Sequence, residues 1–298
     1  MDINRYLQEK KERVDSALKE CLPKREELTR NIYKAMEHSL FAGGKRVRPI
    51  LSIASFEAAG GTGERILPFA CALEMIHTYS LIHDDLPAID NDDTRRGKPT
   101  CHKVFGEAIA ILAGDGLLTE AFRLMTIRPG KDDSASDDGL VLDLIREVAQ
   151  AAGVLGMVGG QVVDIESEGK AVDLPTVQYI HTRKTGAMIL ASVRVGAKLG
   201  GAKEPVLRTL SRYGESLGLA FQIADDILNV EGQAALMGKQ AGSDRVKGKA
   251  TYPSVLGVEE SKRRSKELVE MAVEALKSLG PEADPLREIA RFVIAREY

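Results

Sequence analysis

Between Leu81 and Thr100 the chain reads LIHDDLPAIDNDDTRRGKPT, with five aspartates and two adjacent arginines in twenty residues. Two carboxylates about 5 Å apart repel by roughly 3 kcal/mol at an effective dielectric near 20. A solvated acidic loop gains nothing from such crowding, whereas a metal-bridged anion site needs both signs of charge. Asp84 and Asp85 close an apolar run, Pro87 disfavours helix at Leu86, and Asp90 follows across four residues. That spacing lets Asp90 fold back beside Asp84. Carboxylate oxygens are the ligands magnesium prefers, together with water and substrate phosphates.

A second acidic pair, Asp225-Asp226, stands in FQIADDILN, and Asp225 shares a helix face with Asn229, four residues on. If the two acidic patches face each other, they form a two-walled cage for several magnesium ions. Basic residues accompany them. Lys45, Arg46 and Arg48 follow the Gly43-Gly44 break, Arg95 and Arg96 follow the first acidic motif, and Lys184, Lys239 and Lys249 add further charge. Arginine in particular suits bidentate contact with phosphate. No Gly-x4-Gly-Lys-Ser/Thr run marks a Walker nucleotide site, no Cys/His set has zinc spacing, and DNDD lacks the glycine and glutamate of a calcium loop.

The elements around these motifs read as helices. RYLQEKKERVDSALKECL and REELTRNIYKAMEHSLFAGG are amphipathic, the second stopping at its glycine pair. Pro68 opens FACALEMIHTYSLIHDD, and apolar residues recur at helical spacing in GEAIAILAGDGLLTEAFRLM, LVLDLIREVAQAAG, VQYIHTRKTGAMILASVRVGAKL, EPVLRTLSRYGESLGLAFQIADDILNV and SKRRSKELVEMAVEALKSL. No series of alternating strands is evident. RPGKDDSASDDG (Arg128–Gly139) is read as solvated surface, and the glycine- and lysine-rich Glu231–Pro253 as either a surface linker or a lid over an anion. With no inter-domain linker and no solenoid repeat, residues 1–298 are expected to form one all-α domain.

Bulk properties narrow the class. The chain has 298 residues, 44% hydrophobic and 29% charged, so it can bury a substantial core. A net charge of -3 supplies no basic field for nucleic acid or an anionic membrane, so any anion site must be local. Three scattered cysteines fit a reducing compartment. The opening MDINRYLQEKKERVD lacks the apolar core of a secretion signal, and the apolar window Ile66–Ile82 is broken by Glu74 and His77. A cytoplasmic protein without membrane insertion is expected.

The runs GGKRVRP, LIHDDLPAIDNDDTRRGKPTCHKVFGE, LAGDGLL, RKTG, FQIADDIL and GKATYP occur in the order seen in short-chain trans-isoprenyl diphosphate synthases. From about Tyr33 to Pro253 the sequence resembles the bacterial farnesyl and geranylgeranyl diphosphate synthases. That resemblance implies a helical barrel around a deep apolar cavity, commonly a homodimer, with about three magnesium ions per site. It assigns Asp84, Asp85 and Asp90 to two metals and Asp225 to a third. Arg95, Lys184, Thr185, Gln222, Lys239 and Lys249 would meet the allylic diphosphate or its reacting end. Lys45, Arg48, His77 and Arg96 would bind isopentenyl diphosphate. Asn229 departs from the family pattern, which ends its second motif in aspartate, and this puts third-metal affinity in question. Asp92 and Asp93 are read as solvated neighbours, His83 as structural, and Gln161 and Asp164 as either cavity lining or caps.

The implied chemistry is metal-assisted ionisation of an allylic diphosphate (dimethylallyl or geranyl), followed by attack of isopentenyl diphosphate on the cation. Tyr79 and Ser80, about one turn before Asp84, are expected to set product length. The bulk of Tyr79 favours farnesyl diphosphate, with geranylgeranyl diphosphate as the alternative. A class I terpene cyclase would want more aromatic rings than this chain's 5% and absent tryptophan supply. A non-catalytic synthase subunit would show eroded aspartates.

Overall fold

The computed structural model describes residues 1–23, 26–127, 138–231 and 249–295. Lys239, residues 232–248 of the expected lid and residues 128–137 of the polar loop lie outside them. In chain order the helices are α1 (Ile3–Cys21), α2 (Arg30–Leu40), α3 (Val47–Ala58), α4 (Leu67–Asp84), α5 (Cys101–Phe105), α6 (Glu107–Met125), α7 (Asp138–Ala152), α8 (Met157–Ser167), α9 (Leu174–Ile180), α10 (Ala187–Leu199), α11 (Glu204–Glu231), α12 (Tyr252–Leu256), α13 (Val258–Ala275) and α14 (Asp284–Ala295). One antiparallel hairpin, β1 (Thr94–Arg95) with β2 (Lys98–Pro99), pairs Thr94 with Pro99.

The all-α expectation holds, and its exceptions have physical causes. The helix spacing did not single out α3, because Ile50, Leu51, Ile53, Ala54 and Phe56 are all buried and leave no polar face to set a period. It also missed α8, whose paired glycines and valines are weak helix formers. Tertiary contact supplies what propensity lacks: a Cβ at Gly160 would lie 2.3 Å from the Lys184 backbone nitrogen, so only glycine lets α8 approach there. The stretch read as one helix from Val177 to Leu199 is α9, a π turn over His181–Gly186, and α10.

The two largest of three apolar bodies among the described residues support the site, the third joining Ile180, Ile223, Ile227 and Tyr252 beside the π turn. One gathers α1, α2, α4 and α6 around Leu73, Met75, Ile76 and Leu117, all fully buried. The other gathers α3, α10, α11, α13 and α14 around Val193, Leu210, Tyr213 and Leu217. Each buried side chain of this size contributes about 1.5–3 kcal/mol. α4 enters at Pro68 and is covered on nearly every side, packing on α6 and α3, so its C-terminal Asp84 is delivered from a rigid base. α11 packs on α10 and α13 and carries the second acidic motif on its far third. By length and composition Asp138–Ser167 is apolar enough to cross a membrane, but a break at 153–156 splits it into α7 and α8, of 15 and 11 residues.

Candidate active site

A cavity of about 940 Å³ opens between α4, α8, the π turn and α11. From α4 it is lined by Glu74, His77, Leu81 and Asp84, which recur at three- and four-residue steps on one helix face. From α11 come Phe221, Gln222, Asp225, Asp226 and Asn229; from the π turn, His181, Lys184 and Thr185; and from α8, Asp164. The first turn of α3 adds Arg48, β1 adds Arg95, and the connecting segments add Lys45, Arg46, Asp90, Arg96 and Lys249. Charged groups from six segments of the chain thus converge on one space.

The acidic side is built by the turn after α4. The Asp90 amide donates to the Asp84 carbonyl at 2.8 Å, so the four-residue bulge does fold Asp90 back over the helix end. Burial, with Asp90 adding to it, pushes the Asp84 carboxyl above its ordinary pKa, while Lys184, Arg95 and Lys249 pull the other way. Gln161 donates to Asp84 Oδ1 at 2.9 Å, which places Gln161 in the site. Lys249 holds Asp90 at 2.9 Å, and Lys184 holds Asp164 at 2.6 Å. Asp85 is 3% exposed and accepts from Arg95 Nε at 2.7 and 2.9 Å; it is not among the residues lining the cavity. Asp92 sits near Arg95, and Asp93 pairs with Lys103 at the surface.

The cationic side follows from backbone conformation. Arg46 and Arg96 both take left-handed φ, 52° and 55°, which costs non-glycine residues about 1 kcal/mol or more each. At Arg46 this starts α3 and separates two arginines with opposite fates. Arg46 turns inward, bonding Asp15, Glu74 and the Leu40 carbonyl at 2.7–2.8 Å, so it belongs to the framework rather than to a phosphate contact. Arg48 turns to the cavity, and its Nε is buried without a hydrogen-bond partner. Burial, reinforced by Arg96, lowers the Arg48 pKa, with Glu74 and Asp225 opposing. Arg96 lies over Gly44, where a Cβ would sit 2.3 Å from its Nη1. The half-buried His77 imidazole is held well below its usual pKa by desolvation and then by Arg48 and Arg96. Guanidiniums and a neutral imidazole crowded without matching carboxylates describe a place for an added anion.

The remaining predicted positions sort clearly. Thr185 Oγ1 donates to Gln222 Oε1 at 2.8 Å. Tyr79 is 6% exposed, packed edge-on to His83, and lies round α4 from the cavity-lining face. Ser80 bonds back to the His77 carbonyl. His83 contacts the Ile111 carbonyl, a structural role. Sequence reasoning overlooked Glu74, a buried carboxylate in the wall, and His181, which bonds Asp226 at 2.7 Å. The only signal for His181 was its position three residues before Lys184.

Among the described residues no three His, Cys, Asp or Glu side chains stand close enough to hold a metal. The donor set nonetheless fits a hard divalent cation: Asp84, Asp90 and Asp225 offer only oxygen. Beside Asp84, the buried Gln161 Oε1 has no partner, which suits a donor such as metal-bound water.

A family model described as polyprenyl synthetase matches residues 29–281. Over its whole length the chain is 48% identical to the farnesyl diphosphate synthase of Geobacillus stearothermophilus, covering 99% of that protein. It is 49% identical to the geranylgeranyl diphosphate synthase of Cyanophora paradoxa, across 98% of this chain and 95% of that one. Among solved structures, the apo FPP/GFPP synthase from Zymomonas mobilis superposes with a TM-score of 0.86 at 37% identity, across 98% of this chain and 99% of that one.

Proposed function

The chain belongs to the polyprenyl synthetase family, with the all-α isoprenoid synthase fold; from that premise we propose that it condenses isopentenyl diphosphate with dimethylallyl and geranyl diphosphates to make farnesyl diphosphate. It is a trans-prenyltransferase acting on diphosphate substrates. One observation carries the two-substrate reading. A single cavity holds an acidic side with its own lysines and a separate cationic side whose Arg48 lacks a partner at Nε.

Asp84, Asp90 and Asp225 are the residues that would hold magnesium, about three ions with Asp85 recruited from Arg95. The metal would supply charge neutralisation to the diphosphate leaving the allylic carbon. Lys184, Lys249 and Arg95 exchange their carboxylate partners for phosphoryl oxygens as that charge develops. Arg48, Arg96, Lys45 and His77 bind the second diphosphate without metal and point its double bond at the allylic carbon. Leu81, Ile180 and Phe221 exclude water that would quench the cation. The departing diphosphate is the base at hand for the proton lost on condensation.

Asn229 is 7% exposed in the cavity wall and offers an amide oxygen to bound water while removing one charge. Residues 1–298 are taken as one domain. The protein is proposed to be cytoplasmic, its three thiols being free. It is proposed to be a homodimer, since Ile111 and Leu112 on α6 and Val158, Val162 and Ile165 on α8 leave apolar stripes uncovered. A geranylgeranyl product is the second reading, favoured by the Cyanophora relative. Purified protein given isopentenyl and dimethylallyl or geranyl diphosphate with magnesium is expected to release mainly the farnesyl diphosphate. A dominant geranylgeranyl product would select the second reading, and absence of any extended diphosphate would overturn both.

A further inference from the structure

The second aspartate of the α11 pair does something different from the first. Asp226 is 3% exposed and both its oxygens are engaged. Oδ2 accepts from His181 Nε2 at 2.7 Å and from the Tyr252 backbone amide at 3.0 Å, and Oδ1 accepts from Gln222 Nε2 at 3.1 Å. One carboxylate therefore joins the π turn, α11 and the start of α12.

Of those three partners His181 and Gln222 line the cavity, and Tyr252 directly follows Thr251 on its wall. His181 opens the π turn, three residues before Lys184 and four before Thr185. A π turn inserts one residue into the helical period, so its register needs an external tie to be held. Gln222, oriented by Asp226, in turn accepts from Thr185 at 2.8 Å, and those two bonds fix its amide in a single orientation. Tyr252, fixed through its amide, lies three residues after Lys249, whose Nζ meets Asp90 at 2.9 Å. Because an ionised carboxylate only accepts, His181 must donate from Nε2. Its ring also rests on Tyr252, centroids 5.4 Å apart and tilted 31°.

We propose that Asp226 and His181 are positioning residues, not metal ligands: together they set the Lys184–Thr185 turn, Gln222 and the Lys249 segment in the geometry that ionises the allylic substrate. The proposal rests on the prenyltransferase reading above. An ordinary buried pair would matter for stability alone, whereas this one should matter for turnover in a protein that is still folded and still binds metal.

The test compares wild type with His181→Phe, His181→Gln, Asp226→Asn and, as a reference for a metal ligand, Asp225→Asn. Kinetics with isopentenyl and geranyl diphosphates are read beside thermal melting and calorimetric binding of magnesium with inorganic diphosphate. His181→Phe keeps the ring on Tyr252 but loses the donor, and Asp226→Asn weakens the bracket. Both are expected to lower kcat about 10–100-fold, the scale of a hydrogen bond to a charged group. The KM for isopentenyl diphosphate and the magnesium affinity should stay within about twofold of wild type. His181→Gln restores an N–H donor and should recover most of kcat, while Asp225→Asn should weaken magnesium binding. Unchanged kcat in His181→Phe, or a magnesium defect in Asp226→Asn equal to that of Asp225→Asn, overturns the proposal. If His181→Phe fails to fold, His181→Gln and Asp226→Asn decide it by the same criteria. An inactive wild-type chain would sink the underlying reading and the proposal with it; an active wild type with any of the contrary results sinks the proposal alone.

Discussion

Arg46 and Arg48 stand two residues apart, and their surroundings separate their roles. The Arg46 side chain is 2% exposed and neutralises Asp15 and Glu74. Its removal strands a buried carboxylate, so Arg46→Ala is expected to cost about 3–5 kcal/mol of stability, read as a lowered chemical-denaturation midpoint. Arg48→Ala leaves no such orphan. It should keep the wild-type midpoint and raise the KM for isopentenyl diphosphate about 10–100-fold. Equal stability losses in the two variants would contradict this division. His77 gives a pH signature on the same side of the cavity. Its native pKa lies well below 6.5, through burial first and then the neighbouring arginines. Between that depressed value and 6.5 the unfolded chain binds the extra proton, so stability falls as pH drops below 6.5 and is fully present above it. His77→Gln cannot titrate and should flatten this loss. Urea midpoints at pH 7.5 and pH 5.5 check it, an identical pH dependence in both proteins being the contrary result.

At the scale of elements, legibility followed the source of the information. Helices with one polar face were readable because the period is written along them; α3, buried on all sides, and α8, held by contact at Gly160, were not. The Asp84–Asp90 bulge was readable because Pro87 and a fixed spacing specify it locally, and the hydrogen bond from the Asp90 amide to the Asp84 carbonyl follows. What spacing could not settle was the direction of neighbouring side chains. Asp85 turns to Arg95 while Asp84 lines the cavity, and Asp226 turns to His181 while Asp225 stands beside it on the wall. Such choices depend on partners far away in sequence. Tyr79 poses the same question on α4. The residue is 6% exposed near the Asp84 end of the helix, and burial, with Asp84 adding to it, lifts its phenol to about 12. Tyr79→Ala opens space there at a cost of about 3–5 kcal/mol. The product is expected to shift from farnesyl toward geranylgeranyl diphosphate, resolved by chain-length chromatography. An unchanged distribution would exclude Tyr79 as the stop.

For the molecule as a whole, the unbalanced surface is apolar rather than charged. A net charge of -3 offers little repulsion between copies. Val158, Val162 and Ile165 repeat at steps of four and three along α8, each 40–48% exposed, and Leu155 just before the helix is 61% exposed. On α6, Ile111 and Leu112 are 43% and 51% exposed on a helix whose other face is fully packed through Ala110, Ala113 and Leu117. A monomer seldom leaves contiguous apolar stripes in water, and a stable dimer covers about 800 Å² per partner. α8 also carries Asp164 into the cavity wall and Gln161 against Asp84, bonded to Lys184 and Asp84 respectively. Covering its outer stripe would therefore stiffen the wall that holds the first acidic motif. The wild-type protein is expected to sediment at twice its 32.3 kDa mass. Leu112→Glu combined with Val162→Glu places four unpaired carboxylates in the interface of a symmetric pair and should yield monomer with native helix content. That monomer should retain substrate binding but lose turnover, because the site is complete within one chain while its support on α8 is not. A wild-type monomer, or a double variant that remains dimeric, would place the apolar stripes outside any self-association.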